Sequence, residues 1–430
     1  MDKLNKYLNI AKKDLFYLCR SITGEGVRKT FKVMKKHFPK LRIKRIKSGT
    51  KVFDWKIPPE WHVRKAYVMD KFGKKIIDFD KNNLHLINYS TPQDREVNKK
   101  NLLLKLHYDL KNRDAIPYKT SYYVRDWGFC ITKKQRNEIN SKYKDLDKFK
   151  IKIDSKLDKN GYLNYAELFL PGRSKQEILI STYICHPSMA NNELSGPIIS
   201  MSLINFFKKQ KLDKGLRFIF VPETIGSVCY LQKNINYLKK YVVAGLQLTC
   251  VGDERQYSCL LTKYQDQLID RIIVKTYKKL NLKFKKYNFL ERGSDERQYN
   301  SPHIDLPIAS IFRSKYGTYP EYHTSKDDFK VVTLKGLKGS FKVAKKIIIT
   351  LQNSIIPISN NKCEPQLSSK KNLSKLIKKN KVVNSRNILN FLQYCDGKND
   401  LELIAKNINL KLSDTKKIFK TCKNYNLIKI

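Results

Sequence analysis

Between Tyr162 and Gln352 apolar runs of strand length alternate with segments of helical spacing. The runs are Ile178–Ile184, Leu216–Val221, Val242–Val251 and Leu306–Phe312, and the helical segments are Ile198–Phe207, Ser227–Leu238, Gln267–Leu280 and Leu334–Leu351. No other feature constrains the fold as strongly. Such alternation predicts an α/β domain: a mixed, mostly parallel sheet with helices on both faces. Ligands in open α/β sheets sit at the carboxyl ends of strands, so the loops that follow these runs hold the candidate chemistry.

The first loop organises the rest. Ser181–Pro197 follows a buried strand, carries His186, and enters the next helix through Asn191-Asn192-Glu193 and Ser195-Gly196. A histidine followed by acids and amides in a strand-to-helix turn suits a metal or substrate site. The plainer reading is a helix start with an incidental histidine. Three further clusters fall at strand ends: Glu223 in Val221–Gly226, Asp253 in Thr249–Asp253, and His323 in Tyr319–Ser325. Two histidines and two acids on converging loops are the donors that catalytic zinc uses, and a spare carboxylate can take a proton from metal-bound water.

An internal echo accompanies them. Asp-Glu-Arg-Gln-Tyr occurs at 253–257 and again at 295–299. Arg255 and Arg297 could each hold a substrate carboxylate or phosphate through a two-pronged hydrogen bond, or pair structurally with their acidic neighbours.

The flanking segments differ in character. Residues 1–40 read as two helices, broken at Ser21–Gly26. Residues 41–160 read as an inserted β-rich domain, with short strands at Leu41–Ile46, Trp61–Asp70, Lys75–Phe79, Tyr122–Val124 and Lys150–Ile153. Residues 161–352 form the α/β domain, and the polar stretch 353–384 reads as a linker. Residues 385–430 give three helices and a final strand, the winged-helix pattern, with Ser413 as a helix N-cap.

Composition sets outer bounds. At 430 residues with 41% hydrophobic content the chain suits two or three globular domains. No apolar run approaches the length of a membrane span, and the N-terminus has no apolar signal core, so a cytoplasmic location is expected. Nine scattered cysteines without a C-x-x-C pair predict free thiols. The formal net charge of +48 would attract polyanions. The lysines are spread along the chain, which predicts non-specific contact with nucleic acid rather than a dedicated interface. The sequence leaves a homo-oligomer open.

Taken together, Cys185–Gly196, Pro222–Ser227, Arg292–Tyr299 and Arg313–Thr324 resemble a bacterial and archaeal aminopeptidase-like family of unknown function, with an inserted β-rich domain and a C-terminal winged helix. The resemblance spans nearly the whole chain. It implies a fold related to the co-catalytic zinc aminopeptidases and a link to surface-polysaccharide biosynthesis. In that pattern His186 and His323 match the two histidines, and Glu223 matches the general base. The bridging aspartate is replaced by Asn192, the second acid of the pair by Thr224, and a further aspartate by Thr249, with Asp253 four residues on. An amide cannot supply the charge that holds two dications together, so the resemblance implies one zinc ion on His186, His323 and Asp253, or else the loss of metal altogether. Glu223 would be the base or a third ligand, and Asn192, Arg255, Arg297 and Tyr322 would contact substrate. The expected function is a zinc-dependent hydrolase cleaving an amide in a peptide or an amino-modified glycan precursor. The alternative is a non-catalytic binding or regulatory protein that works through its winged helix.

Overall fold

The structure is a computed structural model that describes residues 2–379 and 381–430. Its centre is an eight-stranded sheet. In chain order the strands are β1 (Arg42–Lys47), β2 (Tyr162–Leu170), β3 (Glu177–Tyr183), β4 (Gly215–Val221), β5 (Val242–Leu248), β6 (Tyr257–Leu260), β7 (Phe284–Tyr287) and β8 (Ile308–Phe312). Across the sheet they run β1-β2-β4-β3-β5-β8-β6-β7. The central four, β4-β3-β5-β8, are mutually parallel. The flanking pairs β1-β2, β2-β4 and β8-β6 are antiparallel.

Alternation of side chains explains why both faces are covered. Ile178, Ile180, Phe218 and Phe220 point into one core. There they meet helices Asp2–Ile10, Glu25–His37, Ser195–Phe207, Leu268–Lys279 and Leu334–Asn353. Leu179, Ile219 and Val221 point into the other, which helix Ile225–Tyr241 and the inserted module fill. Every residue of β3 is buried. Helix Ser195–Phe207 lies so close to the sheet that a Cβ at Gly196 would come within 2.2 Å of Thr182 Oγ1 and 2.3 Å of the Leu248 carbonyl. Glycine is required there by contact, not by φ.

Several expected elements shift. Arg42–Lys47, expected within the β-rich insertion, is an edge strand of the central sheet. The insertion is built on a four-stranded antiparallel sheet of Lys75–Asp78, Glu60–Met69, Lys148–Asp158 and Gln93–Asn98. Tyr122–Val124 is a turn and not a strand, with Tyr123 and Val124 exposed at 55% and 69%. The stretch 353–384 is not a bare linker: Ile358–Ser359 pairs with Ile428–Lys429, and Lys371–Lys379 is a helix. In the C-terminal unit helix Leu412–Asn424 begins after Lys411, and no side chain caps it, so Ser413 is not the N-cap. All nine cysteines are free. No helix among the described residues is long and apolar enough to cross a membrane.

Candidate metal and substrate site

The loops after β3, β4, β5 and β8 converge. Each carries a non-glycine residue at positive φ: Ser188 (44°), Thr224 (65°), Cys250 (50°) and His323 (54°). For a β-branched residue such as Thr224 this backbone is costly, and strain of this kind collects at functional sites.

His186 is buried at the end of β3 and fixed on every side. Its Nδ1 lies 3.1 Å from Glu193 Oε2, and its backbone N–H donates to the same oxygen at 3.0 Å. Glu193 Oε1 accepts from the Cys185 backbone at 2.9 Å and meets Arg20 Nε at 3.0 Å. Arg20 Nε also donates to the His186 carbonyl at 2.8 Å, and both partners of this ion pair are fully buried. Nδ1 therefore serves support, and Nε2 is the atom left for chemistry. It faces Glu223 Oε2 at 3.7 Å, a gap longer than a hydrogen bond.

The His323 ring lies 5.2 Å from that of His186, centroid to centroid. Tyr118 meets both rings edge-on, at 5.3 and 5.2 Å. Tyr322 stacks on His323 at 3.9 Å. His323 Nε2 is buried and has no hydrogen-bond partner. Burial, with the charges of His186 and Lys119, holds its pKa well below the ordinary value, so the ring is neutral with a free lone pair. His186 moves the other way. Burial opposes its charge, but the Glu193 hydrogen bond and the Glu223 and Glu193 carboxylates together raise it.

Glu223 follows β4. The Ser294 hydroxyl donates to its Oε1, and Gln247 donates to Ser294 at 2.8 Å. Burial raises the Glu223 pKa against the pull of His186 and Ser294. Thr224 is held at its strained φ by Asp295, which accepts its N–H at 2.7 Å, and Arg297 donates to its hydroxyl. Burial and the Glu223 charge push Asp295 up to about 8.

Two expected site residues lie elsewhere in role. Asp253, expected as a ligand, is engaged by other loops. Its oxygens accept from Asn191 Nδ2 (3.1 Å), Ser314 N and Oγ (both 2.9 Å) and Arg255 N (2.9 Å), so the carboxylate ties loops together. Arg255 pairs with Glu321 at 2.8 Å, one residue before Tyr322, and not with an acid of its own motif. Asn192 does stand inside the site. Its Oδ1 accepts from the Tyr183 hydroxyl at 2.9 Å, and that hydroxyl lies 2.5 Å from Thr249 Oγ1. Asp327, absent from the sequence reading, accepts the Asn191 and Asn192 amides at 2.6 and 2.9 Å. Arg20 was missed too, because an arginine some 170 positions from its partner leaves no local pattern.

One test of metal fit is whether donors are free. Among the described residues the His/Cys/Asp/Glu donors lying mutually within 4.8 Å are Cys185, His186 and Glu193. These are support and not ligands: Glu193 is spent on Arg20 and His186, and burial pushes the Cys185 thiol well above its ordinary pKa. The free donors are His186 Nε2, His323 Nε2 and Glu223 Oε2: Glu223 lies 3.7 Å from His186 Nε2 and the two rings are 5.2 Å apart, so the three are more widely spread than the supporting set. A carboxylate behind the far nitrogen of a histidine is the support that metal-binding imidazoles have. The set suits one ion. It does not suit two, because Asn192, Thr224, Thr249 and the Tyr183 hydroxyl between them contribute no charge.

Residues 9–354 match the family described as Domain of unknown function (DUF4910), and residues 356–430 match a winged helix-turn-helix. The chain belongs to this family. A Clostridium acetobutylicum protein, named as a candidate polysaccharide biosynthesis protein with an aminopeptidase-like domain, is 41% identical over 381 residues, 86% of either chain. A crystal structure of a candidate peptidase from Clostridium acetobutylicum superposes with TM-score 0.79 at 38% identity, covering 100% of this chain and 96% of that one. BSAP, a zinc aminopeptidase from Bacillus subtilis, superposes with TM-score 0.60 at 12% identity over 81% of this chain and 94% of its own. At that identity the likeness shows the fold alone, and the fold is aminopeptidase-like with a C-terminal winged helix.

Proposed function

We propose that this protein is a one-metal hydrolase of amide bonds, acting on a peptide or on an amino-modified glycan precursor. The observation that carries this reading is the free, neutral Nε2 of buried His323 beside the Glu193-supported ring of His186. His186 and His323 would hold the ion, zinc by the chemistry of the donors. Bound zinc would polarise the scissile carbonyl and acidify water.

The rest of the chemistry belongs to the chain. Glu223 accepts the proton of the attacking water at Oε2, since Ser294 occupies Oε1. Its raised pKa brings it nearer neutrality, where a carboxyl can take a proton and return it to the leaving amine. Arg297, anchored on Thr224, stands beside Glu223 and would orient an acidic group of the substrate. Tyr322 and Tyr118 wall the two imidazoles and exclude water. Asn192 would hydrogen-bond substrate through its amide nitrogen, whose partner in the structure is the weak Met189 sulfur acceptor at 3.8 Å, its oxygen being taken by Tyr183.

The runner-up is a regulatory protein that binds DNA. Exposed Lys416, Lys420 and Lys423 on helix Leu412–Asn424 favour it. The approach of free donors at the carboxyl ends of the strands favours the hydrolase. The test is hydrolysis of an aminoacyl anilide and of an N-acyl amino sugar by zinc-supplied protein. Glu223→Gln is expected to keep its zinc and lose about 10²–10⁴-fold in rate. No hydrolysis of either substrate, or equal rates with the variant, would overturn the reading.

A further inference from the structure

A cleft with a volume of ≈ 530 Å³, the size of a small-ligand pocket, lies not over the histidines but beside them. It forms where the Ser48–Gly49 turn, the Lys56–Pro59 segment, the 121–125 turn and the hairpin tip at Lys159 meet. Three features set it apart from the generally basic surface.

Lys56, Arg125 and Lys159 line it, no carboxylate does, and none of the three makes an ion pair among the described residues. Its aromatic wall is Tyr122 and Tyr123. Tyr123 stays 55% exposed, propped edge-on against Trp55 at 5.8 Å, so its face is offered and not packed. Ser48 completes the lining. It is only 7% exposed and its hydroxyl has no partner, although a buried hydroxyl without a bond costs about 1–3 kcal/mol. Cations and an open aromatic face in one cleft, with an unpaired hydroxyl just beneath the lining, match a ligand with an anionic group and an apolar ring face.

The cleft is also wired to the proposed site. Tyr122 meets the Tyr118 hydroxyl at 2.5 Å, and the Tyr118 ring touches both His186 and His323. We propose that this cleft is the subsite for the sugar-phosphate end of the substrate, which makes the substrate a phosphorylated amino-sugar glycan precursor and not a peptide. The second half rests on the hydrolase reading; the binding claim does not.

The test is calorimetric titration of the intact protein with N-acetylglucosamine 1-phosphate at moderate salt, where loose counter-ion binding is suppressed. Saturable binding is expected, with N-acetylglucosamine and inorganic phosphate each at least about tenfold weaker, since each satisfies only part of the cleft. Tyr123→Ala and Arg125→Ala, both at exposed positions, are each expected to weaken binding about tenfold or more. Lys209→Ala, an exposed lysine elsewhere, is expected to leave it unchanged. Binding that is equally tight for phosphate alone, that falls as much in Lys209→Ala, or that is absent would overturn the proposal. Binding that survives while no amide is cleaved would overturn the hydrolase reading, and the substrate assignment with it, and leave the binding claim standing.

Discussion

Glu193 holds His186 by its ring Nδ1 at 3.1 Å and by its backbone N–H at 3.0 Å, so one carboxylate fixes both the tautomer and the loop. Behind it Arg20 neutralises Glu193 in a fully buried pair. Breaking such a pair strands a charge in the interior, at about 3–5 kcal/mol. Glu193→Gln is therefore expected to lower unfolding free energy by about that amount in a denaturant titration, and to weaken zinc binding about 10–100-fold. A variant as stable as the parent with unchanged zinc affinity would show that the pair does not position His186.

Asp253 separates structure from metal binding. Four hydrogen bonds engage its oxygens and none comes from the histidine site. Asp253→Ala is expected to cost about 2–4 kcal/mol in stability, since buried amides lose their acceptor, and to leave zinc stoichiometry unchanged in the folded fraction. Lost zinc in a folded variant would restore Asp253 as a ligand.

Thr224 pays for its backbone. At φ 65° a glycine has no Cβ penalty, so Thr224→Gly is expected to gain about 1 kcal/mol from relieved strain. The loss of the Arg297 hydrogen bond works against that gain. Calorimetric melting checks this, and a clear fall in melting temperature would mean the Arg297 contact outweighs the strain.

Asp295 gives stability a pH dependence. Its carboxyl is raised from 3.8 to about 8, by burial first and the Glu223 charge second. Between those values it is protonated when folded and ionised when unfolded, so folding takes up a proton and stability falls as pH rises. The slope from this group approaches about 1.4 kcal/mol per pH unit across pH 4–8 and vanishes above about 8. Asp295→Asn mimics the protonated form and is expected to flatten that window in unfolding titrations. An unchanged slope would place the titration elsewhere.

The sequence carried the sheet well because its signal is long-range and redundant. β3, β4 and β5 are predominantly apolar runs, and each helix shows its own periodicity. What escaped was local and polar. Gln93–Asn98 opens with an amide and three charges and gains strand form only by pairing with Lys148–Asp158. Tyr122–Val124 has strand composition, but only Tyr122 turns back onto the core, against Tyr89 and Tyr118, while Tyr123 and Val124 are exposed, so burial does not reward extension. In the site His186, His323 and Glu223 were legible because strand ends converge by topology. Arg20 and Asp327 were not, since their roles depend on backbone groups that only folding brings near.

The central claim is that His186 and His323 grip one cation. Metal content of the purified protein, compared with His186→Ala and His323→Ala, tests it most directly. The account predicts close to one zinc per chain in the parent and almost none in either variant. Equal zinc in all three proteins would contradict it.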